Sequence, residues 1–194
     1  MYIHVGFPRC ASTFLQSEVF PKLNLCYIKR KEHLQFNMTF KSYYNKYILG
    51  DHKYRDKLYS SETIVGLEFR KPDAFDNTLF FSHFFPDANI IIVRRERDSW
   101  LSSMYHRYIE REGLMDYDLW FDTVLNQDLL DVDGYIARCK YLFSGCVLVL
   151  DYELLVEDDR EFVGRICDFV GVPMPKYINK IVNANKYKLK GEGK

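Results

Sequence analysis

Residues 86–104 read PDANIIIVRRERDSWLSSM, and this stretch decides the fold class. Within it, Asn89 is followed by four β-branched apolar residues, up to Val93, with no polar residue between them. Such an unbroken apolar run is typical of a strand covered on both faces in a parallel sheet. Asp98 is a good N-cap, and apolar residues recur after it at helical spacing, so a helix is predicted to follow the strand. A buried strand followed directly by an amphipathic helix indicates an α/β unit.

The same alternation of strand and helix extends in both directions from this stretch. Further strands are predicted at Tyr2–Val5, Leu23–Ile28, Leu58–Ser61 and Cys146–Leu150. Further helices are predicted at Thr13–Phe20, Thr39–Leu49, Asp73–Phe85, Leu119–Asn126, Tyr135–Phe143 and Glu157–Val170. The segment Lys53–Lys57 carries too much charge for the core. The pattern predicts an α/β fold of three layers, with a central, mainly parallel sheet of about five strands flanked by helices. We expect one domain over residues 1–194.

The composition limits the class of partner. Lys plus Arg is 27 and Asp plus Glu is 27, so the overall basic field that holds a nucleic acid is absent. The five cysteines form no CxxC pair, so neither a disulfide framework nor a zinc site is indicated. No apolar run approaches the ~18 residues that span a bilayer, and the N-terminal MYIHVGFPR is too short and polar for a signal peptide. We expect a cytoplasmic protein without a nucleic-acid partner or a membrane span.

The loop after the first predicted strand has the features of an anion site. Residues 6–13 read GFPRCAST and lie between a strand and a helix, where free backbone amides and the helix dipole favour negative charge. Arg9 adds a forked cation, and Ser12 and Thr13 add hydroxyl donors. The loop lacks the GxxxxGK[ST] pattern, so it is not an ordinary ATP-binding P-loop. A turn with a helix cap explains the same residues.

A second candidate anion site follows the NIIIV strand. Arg94 ends that strand at the carboxyl edge of the sheet, where α/β proteins bind ligands, and Ser102 lies in the first turns of the next helix. An arginine fork with a hydroxyl is good phosphate chemistry. The alternative is a solvated basic turn followed by ordinary helix serines.

Together the two segments resemble the sulfotransferase family that uses 3′-phosphoadenosine-5′-phosphosulfate (PAPS). In that family the first segment reads approximately PKSGTTWL, and residues 8–15 here read PRCASTFL. The second reads approximately RDPRDVVLSYY, and residues 94–104 here read RRERDSWLSSM. Residues 147–173 resemble a later strand–helix stretch, approximately VLVLRYEDLVADPEAELRRLCDFLGLP. Arg9 stands where the family usually has Lys, and Ala11 where it usually has Gly.

The resemblance implies a P-loop nucleotide-kinase-like fold and transfer of a sulfuryl group from PAPS to an acceptor hydroxyl or amine. The product would be 3′-phosphoadenosine-5′-phosphate (PAP). The 3′-phosphate is assigned to Arg94 and Ser102, and the 5′-phosphosulfate to Arg9, Cys10, Ala11, Ser12, Thr13 and Phe14. Arg9 is also a candidate catalytic residue, because it would stabilise the leaving phosphate. No metal is expected, because a sulfuryl group carries less charge than a phosphoryl group.

A general base is expected at the same edge of the sheet. Residues 31–36 read KEHLQF and resemble a motif of glycan-modifying members in which a Glu is the base, so Glu32 is the first candidate and His33 the second. Glu62, after the third strand, is a further candidate. For His83, within FFSHFFP, a structural role fits better. The KEHLQF resemblance favours a glycan acceptor, with lipid and small-molecule hydroxyls as alternatives.

Two other functions fit parts of the sequence. A P-loop-type phosphotransferase on a nucleotide or small molecule would need ATP and Mg²⁺, and the missing GK[ST] argues against it. A non-catalytic module that binds PAP or PAPS would keep the two anion segments and lose turnover, and the departures at Arg9 and Ala11 are consistent with it.

Overall fold

A computed structural model of the protein describes residues 1–29, 57–62, 64–65 and 77–176. The strands in these residues form one sheet in which every neighbouring pair is parallel. The sheet order is β2-β3-β1-β4-β5, with β1 at Tyr2–Val5, β2 at Cys26–Lys29, β3 at Lys57–Ser61, β4 at Asn89–Arg94 and β5 at Val147–Asp151. The predicted α/β class and the parallel sheet of about five strands are confirmed.

The β-branched run forms the buried strand that the sequence predicts. Residues 90–93 of β4 have no exposed surface, because β4 lies between β1 and β5 and belongs to the hydrophobic core. Strand β1 is central, and its Tyr2 pairs with Leu58 on one side and Asn89 on the other. The loop that follows β1 is therefore flanked by the ends of β3 and β4.

Helices pack on both faces of the sheet, which gives the three predicted layers. On one face, His4 of β1 contacts Phe20, with ring centroids 5.1 Å apart. On the other face, Tyr59 of β3, which pairs with Ile3, stacks on Phe81 at 5.3 Å. The described helices are α1 (Ser12–Phe14), α2 (Thr78–Phe84), α3 (Arg97–Glu110), α4 (Tyr117–Thr123), α5 (Val132–Leu142), α6 (Tyr152–Glu157) and α7 (Asp159–Val170). Helix α1 continues as a π-helical segment, Leu15–Val19, and a 3-10 turn, Phe20–Lys22, and a second 3-10 turn occupies Gln127–Leu130.

Helix α3 is capped by a different residue from the one predicted. The prediction of Asp98 as the N-cap is wrong, because Glu96 precedes the helix and its carboxylate accepts hydrogen bonds from the amides of Ser99 and Asp98 at 2.8 and 2.9 Å. These two bonds lower the pKa of the Glu96 carboxyl. Asp98 instead lies in the first turn, where its charge faces the positive end of the helix dipole.

Other observed boundaries also differ from the predicted ones. The segment ending at Lys57 is predicted to be too charged for the core, yet Lys57 is buried as the first residue of β3. The helix predicted at Glu157–Val170 is divided between α6 and α7, because Asp158 leaves the helical conformation and caps α7 with its carboxylate. The predicted helix Thr39–Leu49 lies outside the described residues.

A buried histidine lies at the centre of the sheet. His4 has no exposed surface, its Nδ1 is 2.7 Å from the Ser60 Oγ, and the Gln16 amide donates to the same hydroxyl at 3.0 Å. Among the described residues the His4 Nε2 has no hydrogen-bond partner. Burial lowers the pKa of His4 from 6.5 to about 3. The imidazole is therefore neutral in the folded protein near neutral pH.

This histidine predicts a loss of stability in mild acid. The folded-state pKa of about 3 lies below the unfolded-state value of 6.5, so the unfolded chain binds more protons in this window. Stability therefore falls as the pH falls through it, by up to about 1.4 kcal/mol per pH unit from His4 alone. His4→Asn keeps a hydrogen-bonding group near Ser60 but cannot be protonated, so its stability should fall less steeply with pH. Free energies of unfolding from urea titrations between about pH 7 and pH 4.5 measure the difference.

The matched control is His83→Gln, because the His83 side chain is exposed on α2. This variant should follow the pH dependence of the unchanged protein. Identical slopes for the unchanged protein and His4→Asn would contradict the prediction.

Candidate functional site

The loops after β1, β3 and β4 meet at one edge of the sheet. All strands are parallel, so their carboxyl ends share this edge, where α/β sheets bind ligands. The Gly6 amide donates to the Ser61 carbonyl at 3.1 Å, which joins the loop of residues 6–11 to the end of β3. Arg94 ends β4 on the other side of β1. The two predicted anion segments therefore emerge at the same edge.

The first residue of this loop has no room for a side chain. A Cβ at Gly6 would lie 2.6 Å from the Ser12 Oγ and 3.1 Å from the Glu62 Cα. The second distance is to backbone, so a larger residue would separate the loop from the end of β3. This close approach also places Glu62, which is exposed, directly beside the start of the loop.

The loop backbone has the geometry of an anion-binding concavity. Arg9 and Ala11 have φ values of 60° and 62°, whereas φ of Cys10 between them is not positive. Such alternation of left-handed with other residues is found in backbone nests that bind anions. In this loop the Cys10 amide donates to the Phe7 carbonyl at 3.3 Å. Left-handed backbone costs a residue with a Cβ about 1–2 kcal/mol, which explains why glycine suits the position of Ala11.

Helix α3 holds the loop in place. The Trp100 indole N–H donates to the Pro8 carbonyl at 2.7 Å, and this bond is buried. The Arg95 Nη1 donates to the Arg9 carbonyl at 3.3 Å, and the Arg9 Nε donates to the Ser103 hydroxyl at 3.0 Å. Two loop carbonyls are thus engaged, one by Trp100 of α3 and one by Arg95, which precedes that helix.

The side chains that follow in the loop and in α1 differ in their exposure to solvent. Thr13 is exposed in the first turn of α1, whereas Ser12 is buried and its hydroxyl lies 3.4 Å from the Phe7 carbonyl that accepts its hydrogen bond. The Phe14 side chain packs in the core, so only its backbone remains near the loop. Burial raises the pKa of Cys10 to about 12, so its thiol stays protonated and is not a nucleophile.

A cavity of about 790 Å³ opens between the ends of β4 and β5. This volume suits a nucleotide-sized ligand. Its apolar lining comes from Phe7, Trp100, Leu129, Leu130, Val132 and Leu154. Its charged lining comes from four arginines and six carboxylates: Arg94, Arg95, Arg97, Arg165, Glu96, Asp131, Asp133, Asp151, Glu153 and Glu157. The cavity is adjacent to the loop, because Phe7 and Cys10 belong to both.

Arg94 lies in this cavity with its guanidinium partly solvated. Its Nε donates to Asp151 at 2.7 Å, and its Nη1 is 3.5 Å from Asp133. The hydrogen bond to Asp151 and that residue's charge raise the pKa of Arg94. Ser102, the predicted partner of Arg94, is exposed on α3 and does not line the cavity.

Sequence reasoning missed several residues that shape the site. Helical spacing predicts Trp100 on the apolar face of α3, but it does not predict that the Trp100 N–H anchors the loop. Arg95 belongs to the predicted anion segment, but its contacts were not predicted: it is held by two hydrogen bonds to the Ser99 hydroxyl and lies over the Tyr152 ring at 4.4 Å. Asp151 was missed although it follows the CVLVL strand directly. Its position at the end of a predicted strand was the available signal.

The candidate bases fall in three places. Glu32 and His33 lie outside the described residues. Glu62 is at the carboxyl edge beside Gly6. His83 is on α2, and the chain passes from α2 through a turn to the first residue of β4, so His83 lies toward the amino edge. This position separates His83 from the loop of residues 6–11.

The described residues also bear on metal binding and on a membrane span. In them, no group of His, Cys, Asp and Glu side chains is arranged to hold a metal ion. None of the described helices has the length and apolar character needed to cross a bilayer.

Comparison with known proteins gives one family and one fold. The sequence model described as Sulfotransferase family matches residues 24–176, a range that includes Arg94 and Ser102 but begins after the loop of residues 6–11. A crystal structure of a sulfotransferase from Alicyclobacillus acidocaldarius has the same fold, with a TM-score of 0.63 and 15% identity. The match covers 91% of this chain and 82% of that one. No curated protein sequence matches this chain.

The backbone of Ala11 predicts a stabilising substitution. Because φ at Ala11 is 62°, Ala11→Gly removes a steric cost that exceeds the added flexibility of the unfolded chain. The free energy of unfolding should rise by about 1 kcal/mol, measured by urea denaturation.

The matched control is Ala137→Gly, because Ala137 is exposed within α5. There the same change should lower the free energy of unfolding by about 0.5–1 kcal/mol. A loss of stability in both variants would argue against strain at Ala11.

Proposed function

The chain belongs to the sulfotransferase family, and from this we propose that it transfers a sulfuryl group from PAPS to an acceptor hydroxyl or amine. The observation that carries the proposal is the anchoring of the loop of residues 6–11 to α3 through Trp100 and Pro8. This contact holds the loop, the proposed anion site, at the same edge of the sheet as the arginine that ends β4. A donor with a charged group at each end needs two such sites.

The 5′ end of the donor is proposed to lie on the loop. The left-handed conformation of Arg9 and Ala11 supports this, because left-handed residues that alternate with others occur in backbone nests that bind anions. The exposed Thr13 hydroxyl lies at the start of α1, where the helix dipole also favours an anion. PAPS supplies the sulfuryl group and leaves as PAP. The loop amides and Thr13 would bear the charge that develops on the leaving phosphate.

Arg9 has a modified role in this proposal. Its Nε donates to the Ser103 hydroxyl on α3 at 3.0 Å, so the guanidinium is tied to that helix. In this proposal the positive charge of Arg9 would act on the leaving phosphate from its position beside α3. Arginine, unlike the usual lysine, is able to hold α3 and an anion at the same time because it has five donors.

The 3′ end of the donor is proposed to lie in the cavity beside Arg94. The fork of Arg94 suits a phosphate, and the apolar wall formed by residues such as Leu129 and Leu154 suits the adenine ring. Ser102 would reach the 3′-phosphate only from the exposed side of α3. The acceptor would then enter from the opposite side of the loop, near Glu62.

The general base is proposed to be a carboxylate on the acceptor side. Glu62 is supported by its position beside Gly6, the first residue of the loop. Glu32 is supported by the KEHLQF resemblance, with His33 as its neighbour. The base would accept the acceptor proton while the acceptor oxygen or nitrogen bonds to sulfur and the bond between sulfur and the phosphate oxygen breaks. The acceptor is proposed to be a small molecule or a glycan.

Arg94→Ala tests the nucleotide assignment. We expect PAP binding to weaken by about tenfold or more, because a bond between two charged groups is lost. Adenosine 5′-monophosphate (AMP) lacks only the 3′-phosphate, so its dissociation constant should change by less than about twofold. Isothermal titration calorimetry measures both ligands.

Arg107→Ala serves as the control. It also removes one arginine charge, but from a surface ion pair with Glu110 on α3. Equal losses for PAP and AMP would remove Arg94 from the 3′-phosphate. In the same titrations, preference for ATP–Mg over PAP would favour the phosphotransferase alternative. Tight PAP binding without transfer to a broad acceptor panel would favour a non-catalytic module.

Glu62→Gln and Glu32→Gln test the base. The substitution at the base should leave PAP binding intact and lower turnover by about 10²–10⁴-fold, since only proton transfer is lost. Turnover is measured as PAP formed from PAPS with a panel of hydroxyl and amine acceptors. Glu110→Gln at the end of α3 is the control for loss of a surface carboxylate. Full turnover in both test variants would contradict a glutamate base at these positions and direct attention to His33.

A further inference from the structure

Arg94 is already engaged by carboxylates on both of its bidentate edges. One edge of its guanidinium is formed by Nε and Nη2, and the Nε donates to Asp151 at 2.7 Å. The other edge is formed by Nη1 and Nη2, and Nη1 lies 3.5 Å from Asp133. A phosphate that binds an arginine in a bidentate manner needs one complete edge. It must therefore displace one of these carboxylates.

The pairing with Asp151 follows from the sheet itself. In the parallel register of β4 and β5, Arg94 and Asp151 are direct partners at the ends of their strands. The shorter distance and the contribution of Asp151 to the raised pKa of Arg94 identify it as the stronger competitor. Asp133 is 89% exposed on α5 and lies farther away.

The other charges that line the cavity do not offset the negative charge of Asp151. Its lining carries six carboxylates against four arginines. Arg95 is occupied by Ser99 and Tyr152. A dianionic 3′-phosphate beside Asp151 would meet a like charge at close range, which weakens its binding.

We propose that Asp151 is a specificity-determining residue that competes with the 3′-phosphate for Arg94 and so reduces the preference of the site for 3′-phosphorylated nucleotides. This inference rests on the proposed function, since it assumes that the cavity holds the donor nucleotide. Asp151 acts through Arg94 and is a positioning residue. Its charge sets the ratio of affinities for PAP and AMP.

The size of the effect follows from solvation. Asp151 and Arg94 are 56% and 43% exposed, so their ion pair is screened by water and a ligand is able to displace it. Asp151 would therefore lower the affinity of the site for the 3′-phosphate without preventing its binding. Asp151→Asn keeps a hydrogen-bond acceptor of the same shape and removes the charge. We expect it to tighten PAP binding about three- to tenfold and to change AMP binding by less than about twofold.

A double-mutant cycle tests the mechanism. Calorimetric dissociation constants for PAP and AMP are measured for the unchanged protein, Asp151→Asn, Arg94→Ala and the double variant. With Arg94 absent there is nothing to compete for, so the gain in PAP affinity from Asp151→Asn should fall to less than about twofold. A gain that persists in full without Arg94 would overturn the proposal in favour of general charge repulsion.

Two control variants complete the experiment. Asp87→Asn removes one exposed carboxylate before the first residue of β4, at the amino edge of the sheet, and should leave the PAP to AMP ratio unchanged. Asp133→Asn should give a smaller change than Asp151→Asn, in keeping with its longer distance. A larger effect at Asp133 would overturn the assignment of Asp151.

The outcomes separate this inference from the proposed function. If the unchanged protein binds PAP and Asp151→Asn leaves the ratio unaltered or weakens PAP, the inference fails and the proposed function stands. If the unchanged protein binds neither PAP nor AMP, both fail. Tighter PAP binding with unchanged AMP binding, lost in the double variant, supports the inference.

Discussion

The position of β1 between β3 and β4 is the constraint on which the candidate site depends. A strand of four residues, Tyr2–Val5, is hydrogen-bonded along both edges, so its direction fixes where the following loop emerges. Because all neighbours are parallel, that loop meets the ends of β3 and β4 and not their beginnings. Gly6 completes the constraint, since only a residue without Cβ allows the loop to remain this close to Glu62.

The buried bond from Trp100 to Pro8 then joins the loop to α3. Loss of a buried partner of this kind costs about 1–3 kcal/mol, because the carbonyl would stay unsatisfied. The bond therefore makes the conformation of the loop depend on where α3 begins, and Glu96 sets that point as the helix cap. The loop of residues 6–11 and the start of α3 are therefore held by one connected set of contacts.

Much of the fold was predictable because it rests on short-range patterns. The apolar run at residues 90–93 predicted a buried strand. The helix predicted to end at Val170 does end there, where Gly171 follows with a φ of 71°. The cap of α3 was not predictable from spacing, since Asp98 is the commoner cap and only the conformation of Glu96 brings its longer side chain back to the helix. The loop motif predicted an anion site, but the role of Trp100 depends on a contact between residues far apart in sequence.

The environment of Arg94 shows the limit of motif reasoning most clearly. A motif records that an arginine ends a strand, but the strand order determines which side chain ends the neighbouring strand. Here that neighbour is Asp151, on a strand 57 residues further along the chain. The charge available to a ligand is therefore the charge of the pair and not of Arg94 alone. Recognition of an anion by this family's motif consequently has to be evaluated together with the end of β5, which the motif does not include.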